Sequence, residues 1–144
     1  HYEVVHHSQF LAELVDQGRL EIDQASKKTV TFHDPCYLAR VNGIVDAPRE
    51  VLRASGATLE ELPRNGCRTA CCGGGGGRMW LDDGPDERVG RDRIEEISGA
   101  GAETVVVSCP FCRTMIGDGM ATANDSATVV DLAEVLVESI EESS

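Results

Sequence analysis

The segment Thr104-Val105-Val106-Val107-Ser108-Cys109-Pro110-Phe111-Cys112 indicates how this chain folds. Its first four residues form a continuous β-branched run, which is typical of a strand buried on both faces of a parallel sheet. The run ends at a Cys-x-x-Cys pair, and we expect a helix to follow until about Ala121. A buried strand that leads directly into a helix is the repeating unit of α/β domains.

Further strands and helices alternate along the rest of the chain. Strands are predicted at 29–33 and 128–130, with a weaker one at 59–62. Helices are predicted at about 47–54, at 86–98 with Val89 on its apolar face, and after a cap at Asp131. Residues 1–28 read as a lead-in helix capped by Ser8 and a connection, and 141–144 as a frayed tail. This alternation predicts a layered α/β domain with a mainly parallel sheet.

Two cysteines follow predicted strands directly. Pro35 ends the first strand, so Cys36 lies just past its carboxyl end, and Cys109 follows the buried strand in the same way. Ligands in such sheets bind outside the carboxyl ends of the strands. We therefore expect the fold to bring Cys36 and Cys109 to one edge.

Composition limits the class of protein. The 144 residues fit a single domain, 1–144, large enough for a real core, and six cysteines without a secretory signal favour a reducing, cytoplasmic compartment. Thirteen basic against twenty-five acidic residues give a net charge of −12, which argues against nucleic acid or an anionic membrane as direct partner. No run is long enough to insert into a membrane. Because the chain begins at His1, we expect a fragment of a longer protein.

The stretch Cys71-Cys72-Gly73-Gly74-Gly75-Gly76-Gly77 has no explanation as ordinary core or loop. Adjacent cysteines rarely pair with each other, but they can both point at one inorganic group. Glycines lack a Cβ and accept positive φ, so the backbone can approach that group closely. The run is not a phosphate-binding loop, since no Gly-Lys-Ser/Thr follows it.

The cysteine spacing leaves several chemistries open. Cys36 is followed by 34 residues, the Cys71–Cys72 pair, 36 residues and the Cys109–Cys112 pair. A Cys-x-x-Cys pair alone fits zinc, a redox dithiol or an iron–sulfur ligand pair. Tetrahedral zinc needs four ligands, whereas a polynuclear cluster with more than four thiolate positions uses all five.

The same residues resemble a known family. Three motifs are similar to the cysteine-rich CCG domain of heterodisulfide reductase catalytic subunits and of the iron–sulfur subunits of enzymes that oxidise glycolate, lactate or glycerol 3-phosphate. They are His33-Asp34-Pro35-Cys36, Cys71-Cys72-Gly73 and Cys109-Pro110-Phe111-Cys112. Arg78-Met79-Trp80 and Cys112-Arg113-Thr114-Met115 most resemble related membrane-associated oxidoreductases that draw electrons from electron-transfer flavoprotein. The likeness covers about residues 30–119.

This resemblance implies an oxidoreductase module that binds a [4Fe–4S]-type cluster, cubane or non-cubane, with zinc as the alternative. It implies a flavoprotein or other redox protein as donor, a quinone or disulfide as acceptor, and a position in the cytoplasm or at the inner face of the membrane. Family members usually carry two copies of the motif, and this chain has one, so turnover by the domain alone is not expected. No catalytic residue is assigned. The implied metal ligands are Cys36, Cys71, Cys72, Cys109 and Cys112, with Gly73, Gly74 and Gly75 as cluster-binding backbone.

Several residues and two rival functions stay open at this point. Cys67 departs from the family pattern; it reads first as a spare thiol, with a substitute ligand or a redox-active neighbour as alternatives. His33 reads equally as a packed side chain or a proton donor near the cluster. Arg78 and Arg113 flank the expected site and could stabilise a reduced, more negative cluster. The rival functions are a zinc-stabilised docking domain without redox activity and a thiol–disulfide enzyme that uses Cys109 and Cys112.

Overall fold

Four parallel strands form the centre of the computed structural model, which describes residues 1–20, 22, 28–82, 84 and 87–141. They lie in the order β2-β1-β3-β4, and each neighbouring pair is parallel. The predicted α/β class with a parallel sheet is therefore confirmed. The strands are β1 (Thr29–Phe32), β2 (Thr58–Glu60), β3 (Thr104–Val107) and β4 (Thr128–Asp131).

Helices cover both faces of this sheet. Val106 points to the face covered by α1, α2 and α5, while its neighbours Val105 and Val107 point to the face covered by α3 and α4. All three valines are completely buried, as expected for a central strand with helices on both sides. The helices are α1 (His7–Asp16), α2 (Asp46–Ala54), α3 (Arg91–Ala100), α4 (Pro110–Thr122) and α5 (Leu132–Glu141).

The chain leaves β1 and β3 in opposite directions. The connection after β1 passes through α2 to β2 on one side, and the connection after β3 passes through α4 to β4 on the other. A crevice opens at such a switch point, outside the carboxyl ends of the two strands, and it is where open α/β sheets bind ligands. Cys36 and Cys109 both lie at this switch point.

Local predictions needed correction at two helix starts. The helix predicted from residue 86 begins only at Arg91; residue 86 itself lies outside the described residues, and Val89 precedes α3 with its side chain half exposed. The predicted Ser8 cap was also wrong, because the side chain of His6 accepts the Ser8 amide and Ser8 is buried inside α1. The tail predicted to fray at 141–144 lies almost wholly outside the described residues.

The longest helix that the structure describes, α4, has 13 residues. A bilayer-spanning helix needs about 20 predominantly apolar residues. Among the described residues, no helix is both long and apolar enough to cross a membrane.

Candidate metal centre

Three segments bring cysteines to the switch point between β1 and β3. Cys36 follows β1 and precedes a π-helical turn, Tyr37–Val41. Cys109 is the N-cap of α4, which places Cys112 in the first turn of that helix. Cys71 and Cys72 lie in an irregular segment between two 3₁₀ turns, Gly66–Arg68 and Gly75–Trp80.

The thiols of these segments contact one another. The thiols interact in the order Cys71, Cys72, Cys112 and Cys109, and hydrogen bonding between neighbours in this order shifts their pKa values. Cys36 lies close enough to Cys71 for charge repulsion between them to raise the pKa of Cys71 further. All six cysteines of the chain are free thiols. The structure thus brings together the five predicted ligands, while their binding of a metal stays a prediction.

The pKa values of neighbouring thiols are shifted in alternating directions along this chain of contacts. Hydrogen bonds from Cys112 and then Cys71 lower the pKa of Cys72, and a hydrogen bond from Cys112 lowers the pKa of Cys109 to about 6. The amides of Phe111 and Cys112 at the start of α4 help to lower it. Conversely, the hydrogen bond to Cys72 raises the pKa of Cys71, and those to Cys109 and Cys72 raise the pKa of Cys112. Thiolate is the form that binds metals.

Glycine amides point at two of these sulfurs. The Gly73 amide donates to Cys71 Sγ at 3.3 Å, and the Gly74 amide donates to Cys72. Gly73 has φ +89°, which favours glycine, and a Cβ on Gly74 would approach Met115 Cγ to 3.0 Å. Of the three glycines predicted to contact the cluster, these two line the site, whereas Gly75 is exposed and opens the next 3₁₀ turn.

A buried ion pair anchors the loop that carries the Cys71–Cys72 pair. The carboxylate of Asp34, which is 1% exposed, forms two hydrogen bonds with Arg49, at 2.8 and 2.9 Å. Its Oδ2 also accepts the Gly66 amide at 2.7 Å, and its carbonyl accepts the Thr69 hydroxyl at 2.9 Å. Asp34 and, more weakly, Glu61 raise the pKa of Arg49 above its usual value, so the guanidinium stays charged. Asp34 thereby ties the end of β1 to the loop before Cys71.

Two residues of the α3 region support the same loop from the other side. Arg93, whose side chain is 1% exposed, donates to the Thr69 hydroxyl at 2.9 Å and to the Arg64 carbonyl at 2.5 Å. Gly90 lies against Cys72, where a Cβ would come within 2.5 Å of the Cys72 carbonyl oxygen. Neither residue was predicted to support the site, since an arginine on a helix and a glycine before it carry no signal of a distant contact.

His33 is buried beside the thiols. One of its ring nitrogens, Cys72 Sγ and Cys112 Sγ all lie within 4.8 Å of one another. Burial lowers the pKa of His33, which favours the neutral imidazole, although the neighbouring Cys72 sulfur opposes this shift. Among the described residues, neither ring nitrogen has a hydrogen-bond partner of good geometry.

The remaining flanking residues lie at the periphery. Cys67 is exposed and donates to the Ala39 carbonyl at 3.4 Å, apart from the connected thiols as far as the described contacts show. Arg113 pairs with Glu134 at 3.1 Å on the surface of the protein. A cavity of about 540 Å³ opens beside Cys72; its lining includes Gly73, Arg78, Met79, Arg88 and Met115.

This set of donors fits an iron–sulfur group. Five converging thiols cannot all ionise without a strongly positive partner, because like charges at close range disfavour ionisation. A metal centre supplies that charge and deprotonates the thiols that coordinate it. The backbone amides of Gly73 and Gly74 match the amide–sulfur hydrogen bonds that tune such centres. A single tetrahedral zinc would use only four of the five thiols.

Comparison with known proteins agrees with this assignment. The cysteine-rich domain family CCG matches residues 30–117. The chain is 43% identical over 97% of its length to a probable membrane-anchored ferredoxin of Chromohalobacter salexigens, of which it covers 21%. It is 41% identical, over 97% of its length and 21% of the relative, to an EtfAB:quinone oxidoreductase of Syntrophomonas wolfei.

A third relative comes from an archaeon. The chain is 34% identical over 96% of its length to one of the subunits of the dihydromethanophenazine:CoB–CoM heterodisulfide reductase of Methanosarcina barkeri, and it covers 34% of that relative. The chain therefore spans a fifth to a third of the length of these relatives. Together with the family match over more than half of its residues, these similarities show that the chain belongs to the cysteine-rich CCG domain family.

Proposed function

We propose that this domain is an electron-transfer module that holds a [4Fe–4S]-type cluster, cubane or non-cubane, in a heterodisulfide reductase-like oxidoreductase. The observation that carries the proposal is the convergence of five thiols at the switch point of the sheet, four of them in one chain of sulfur contacts. When bound, such a cluster accepts and donates single electrons. The proposed ligands are Cys36, Cys71, Cys72, Cys109 and Cys112.

The protein itself sets the environment of the sulfurs. Gly73 and Gly74 donate backbone amides to Cys71 and Cys72, and the first amides of α4 donate to Cys109. Hydrogen bonds of this kind stabilise negative charge on sulfur and so favour the reduced state. Burial of Cys72 and of the Cys112 side chain keeps water away from the inner half of the site.

The proposed donor is a flavoprotein or a 2-hydroxy-acid dehydrogenase, and the proposed acceptor is a quinone or a disulfide. Two relatives support these classes, since one is named as an EtfAB:quinone oxidoreductase and another as part of a heterodisulfide reductase. We place the module in the cytoplasm, at the inner face of the membrane through a partner or another part of the protein. The relative named as a membrane-anchored ferredoxin is consistent with that position.

Anaerobic purification tests the cofactor. We expect a brown protein with about four iron and four sulfide per site and a paramagnetic signal in one redox state. A colourless protein that carries one tightly bound zinc, and that takes up no iron and sulfide on reconstitution, would show instead the zinc-stabilised docking domain.

Cysteine variants test the ligand set. We expect Cys112→Ser to lose the signal or change its shape, because this side chain lies inside the chain of sulfur contacts. Cys67→Ser is the matched control, as Cys67 is exposed and contacts the Ala39 carbonyl. An unchanged spectrum and iron content in Cys112→Ser would contradict the assignment, and the same loss in Cys67→Ser would show that it is incomplete.

A further inference from the structure

His33 is a buried polar side chain that points into the metal site. The residue is 1% exposed, and both ring nitrogens are buried without a well-directed hydrogen bond in the described part of the chain. Leaving a buried polar group without a partner destabilises the folded state. Native proteins rarely retain such a group unless a water, an ion or a cofactor completes its contacts.

The fold fixes the direction of this side chain. The His33 amide donates to the Val106 carbonyl at 2.9 Å, so the pairing of β1 with β3 continues to residue 33. Side chains alternate along a strand, and Phe32 belongs to the core under α2 and α5. His33 therefore faces the opposite layer, where Cys72 and Cys112 are buried.

We propose that His33 donates an N–H hydrogen bond to sulfur at the Cys72 and Cys112 end of the cluster and thereby raises its reduction potential. An imidazole carries at least one N–H in either protonation state, and in the neutral ring the proposed donor is the tautomer with its N–H on the nitrogen that faces the sulfurs. One ring nitrogen and the sulfurs of Cys72 and Cys112 lie within 4.8 Å of one another, so sulfur atoms are close acceptors for a ring N–H. Because reduction adds negative charge, a donor at sulfur stabilises the reduced state more than the oxidised state.

Donation rather than iron ligation is favoured by the donor set. Five thiols already converge, which is one more than a cubane requires. His33 is accordingly a positioning and tuning residue rather than a catalytic one. The inference rests on the proposed iron–sulfur function.

The test compares three variants of His33 in the full-length, cluster-loaded protein. His33→Leu removes the donor at similar volume, whereas His33→Gln and His33→Asn present an amide N–H near one or the other ring-nitrogen position. His7→Gln is the control, since His7 lies on α1 and pairs with Asp131. The readouts are iron and sulfide content, redox titration followed by paramagnetic resonance, and pulsed resonance of protein labelled with ¹⁵N-histidine.

The expected result is a lower potential in His33→Leu with full iron content. The ratio of oxidised to reduced cluster at a fixed potential should rise about tenfold, which is about 59 mV for one electron. His33→Gln or His33→Asn should recover most of that change, and the control should stay within twofold of the parent. The labelled parent should show a weak nitrogen coupling that disappears in His33→Gln; this readout stands even if His33→Leu fails to assemble.

Three results would overturn the inference, and they are distinguishable. A fully loaded His33→Leu with an unchanged potential would assign His33 to packing alone. A strong coupling, typical of nitrogen bonded to iron, together with loss of iron in all three variants would make it a ligand. Zinc without iron in the parent would reject both the proposed function and this inference, whereas the first two results leave the function intact.

Discussion

Replacing Asp34 by alanine removes the side-chain contacts that tie β1 to the loop before Cys71. The carboxylate is 1% exposed and pairs with Arg49, whose side chain is 12% exposed. The same carboxylate accepts the Gly66 amide at 2.7 Å. The variant therefore leaves the largely buried Arg49 guanidinium with one ion-pair partner fewer. It also leaves the Gly66 amide without its hydrogen bond to the Asp34 carboxylate.

The expected loss is large for a single residue. Breaking a buried ion pair from one side costs about 3–5 kcal/mol, and the low end applies because Arg49 keeps Glu61 at 2.6 and 2.9 Å. The unsatisfied Gly66 amide adds about 1–3 kcal/mol, but contacts in one network do not sum fully. A net loss of about 4 kcal/mol is a large share of the roughly 5–15 kcal/mol that stabilises a domain. For a chain of this length it lowers the midpoint of thermal unfolding by about 13 °C.

Anaerobic thermal unfolding, followed by circular dichroism and by iron release to a chelator, measures this effect. Asp34→Asn should fall between the alanine variant and the parent, because it keeps an acceptor for Gly66 and loses the charge. Glu61→Gln is the matched control, since Glu61 contacts the same guanidinium but is 38% exposed, and exposed pairs contribute about 0–1 kcal/mol. If Asp34→Ala loses no more stability than Glu61→Gln, the anchoring role assigned to Asp34 is wrong.

Four further substitutions separate packing from capping. Gly90→Ala should lower the free energy of unfolding by about 1–3 kcal/mol and lower the iron content, because its Cβ would lie 2.5 Å from the Cys72 carbonyl oxygen. The control Gly99→Ala, in α3, meets nothing within 4 Å and should raise the free energy of unfolding by up to about 1 kcal/mol. Equal effects of the two substitutions on iron content would refute this prediction. Ile116→Ala should cost about 2–5 kcal/mol in urea unfolding because the side chain is fully buried, and a loss below 1 kcal/mol would show that the core collapses around the gap. Asp131→Ala should cost about 1 kcal/mol, because its carboxylate caps α5 at 2.9 Å; an unchanged unfolding midpoint would mean that another group replaces the cap.

The strands and the position of the site were accessible from sequence because strong local signals mark them. The β-branched run at Thr104–Val107 and the proline after each of the two central strands define where strands end. Parallel topology then places Cys36 and Cys109 at one edge without knowledge of any distant contact. The helix at Asp46–Ala54, with a proline in its first turn and Gly56 beyond its end, was also predicted closely.

The contacts that hold the irregular loop were not accessible from sequence. Asp34 meets Arg49 and Gly66 across 15 and 32 residues, and no periodicity records such a pairing. The start of α3 was predicted too early, since the predicted apolar face included Val89, which is half exposed and lies before the helix. The close approach of Gly90 to Cys72 is likewise a tertiary contact that local pattern cannot report.

The two halves of the candidate site are positioned by different forces. Cys36 and Cys109 take their places from strands whose backbones are hydrogen-bonded to each other, so their separation is fixed by the sheet itself. Cys72 belongs to a segment that pairs with no strand in the described part of the chain, and side chains must hold it there. Metal binding contributes folding energy where ligands are not preformed. The free energy of metal binding therefore serves mainly to order the segment around Cys72.

The stretch His33-Asp34-Pro35-Cys36 joins these two halves. Within four residues the chain continues the sheet pairing through His33, anchors the irregular loop through Asp34, ends the strand at proline and presents a thiol. Each task requires a different side chain at a fixed distance from the end of β1. For His33 this position is fixed by the alternation of side chains along β1, which directs the imidazole into the site. A shift of one residue would turn the imidazole to the opposite layer. The spacing of this motif thus follows from the geometry of β1 as much as from the chemistry of the metal.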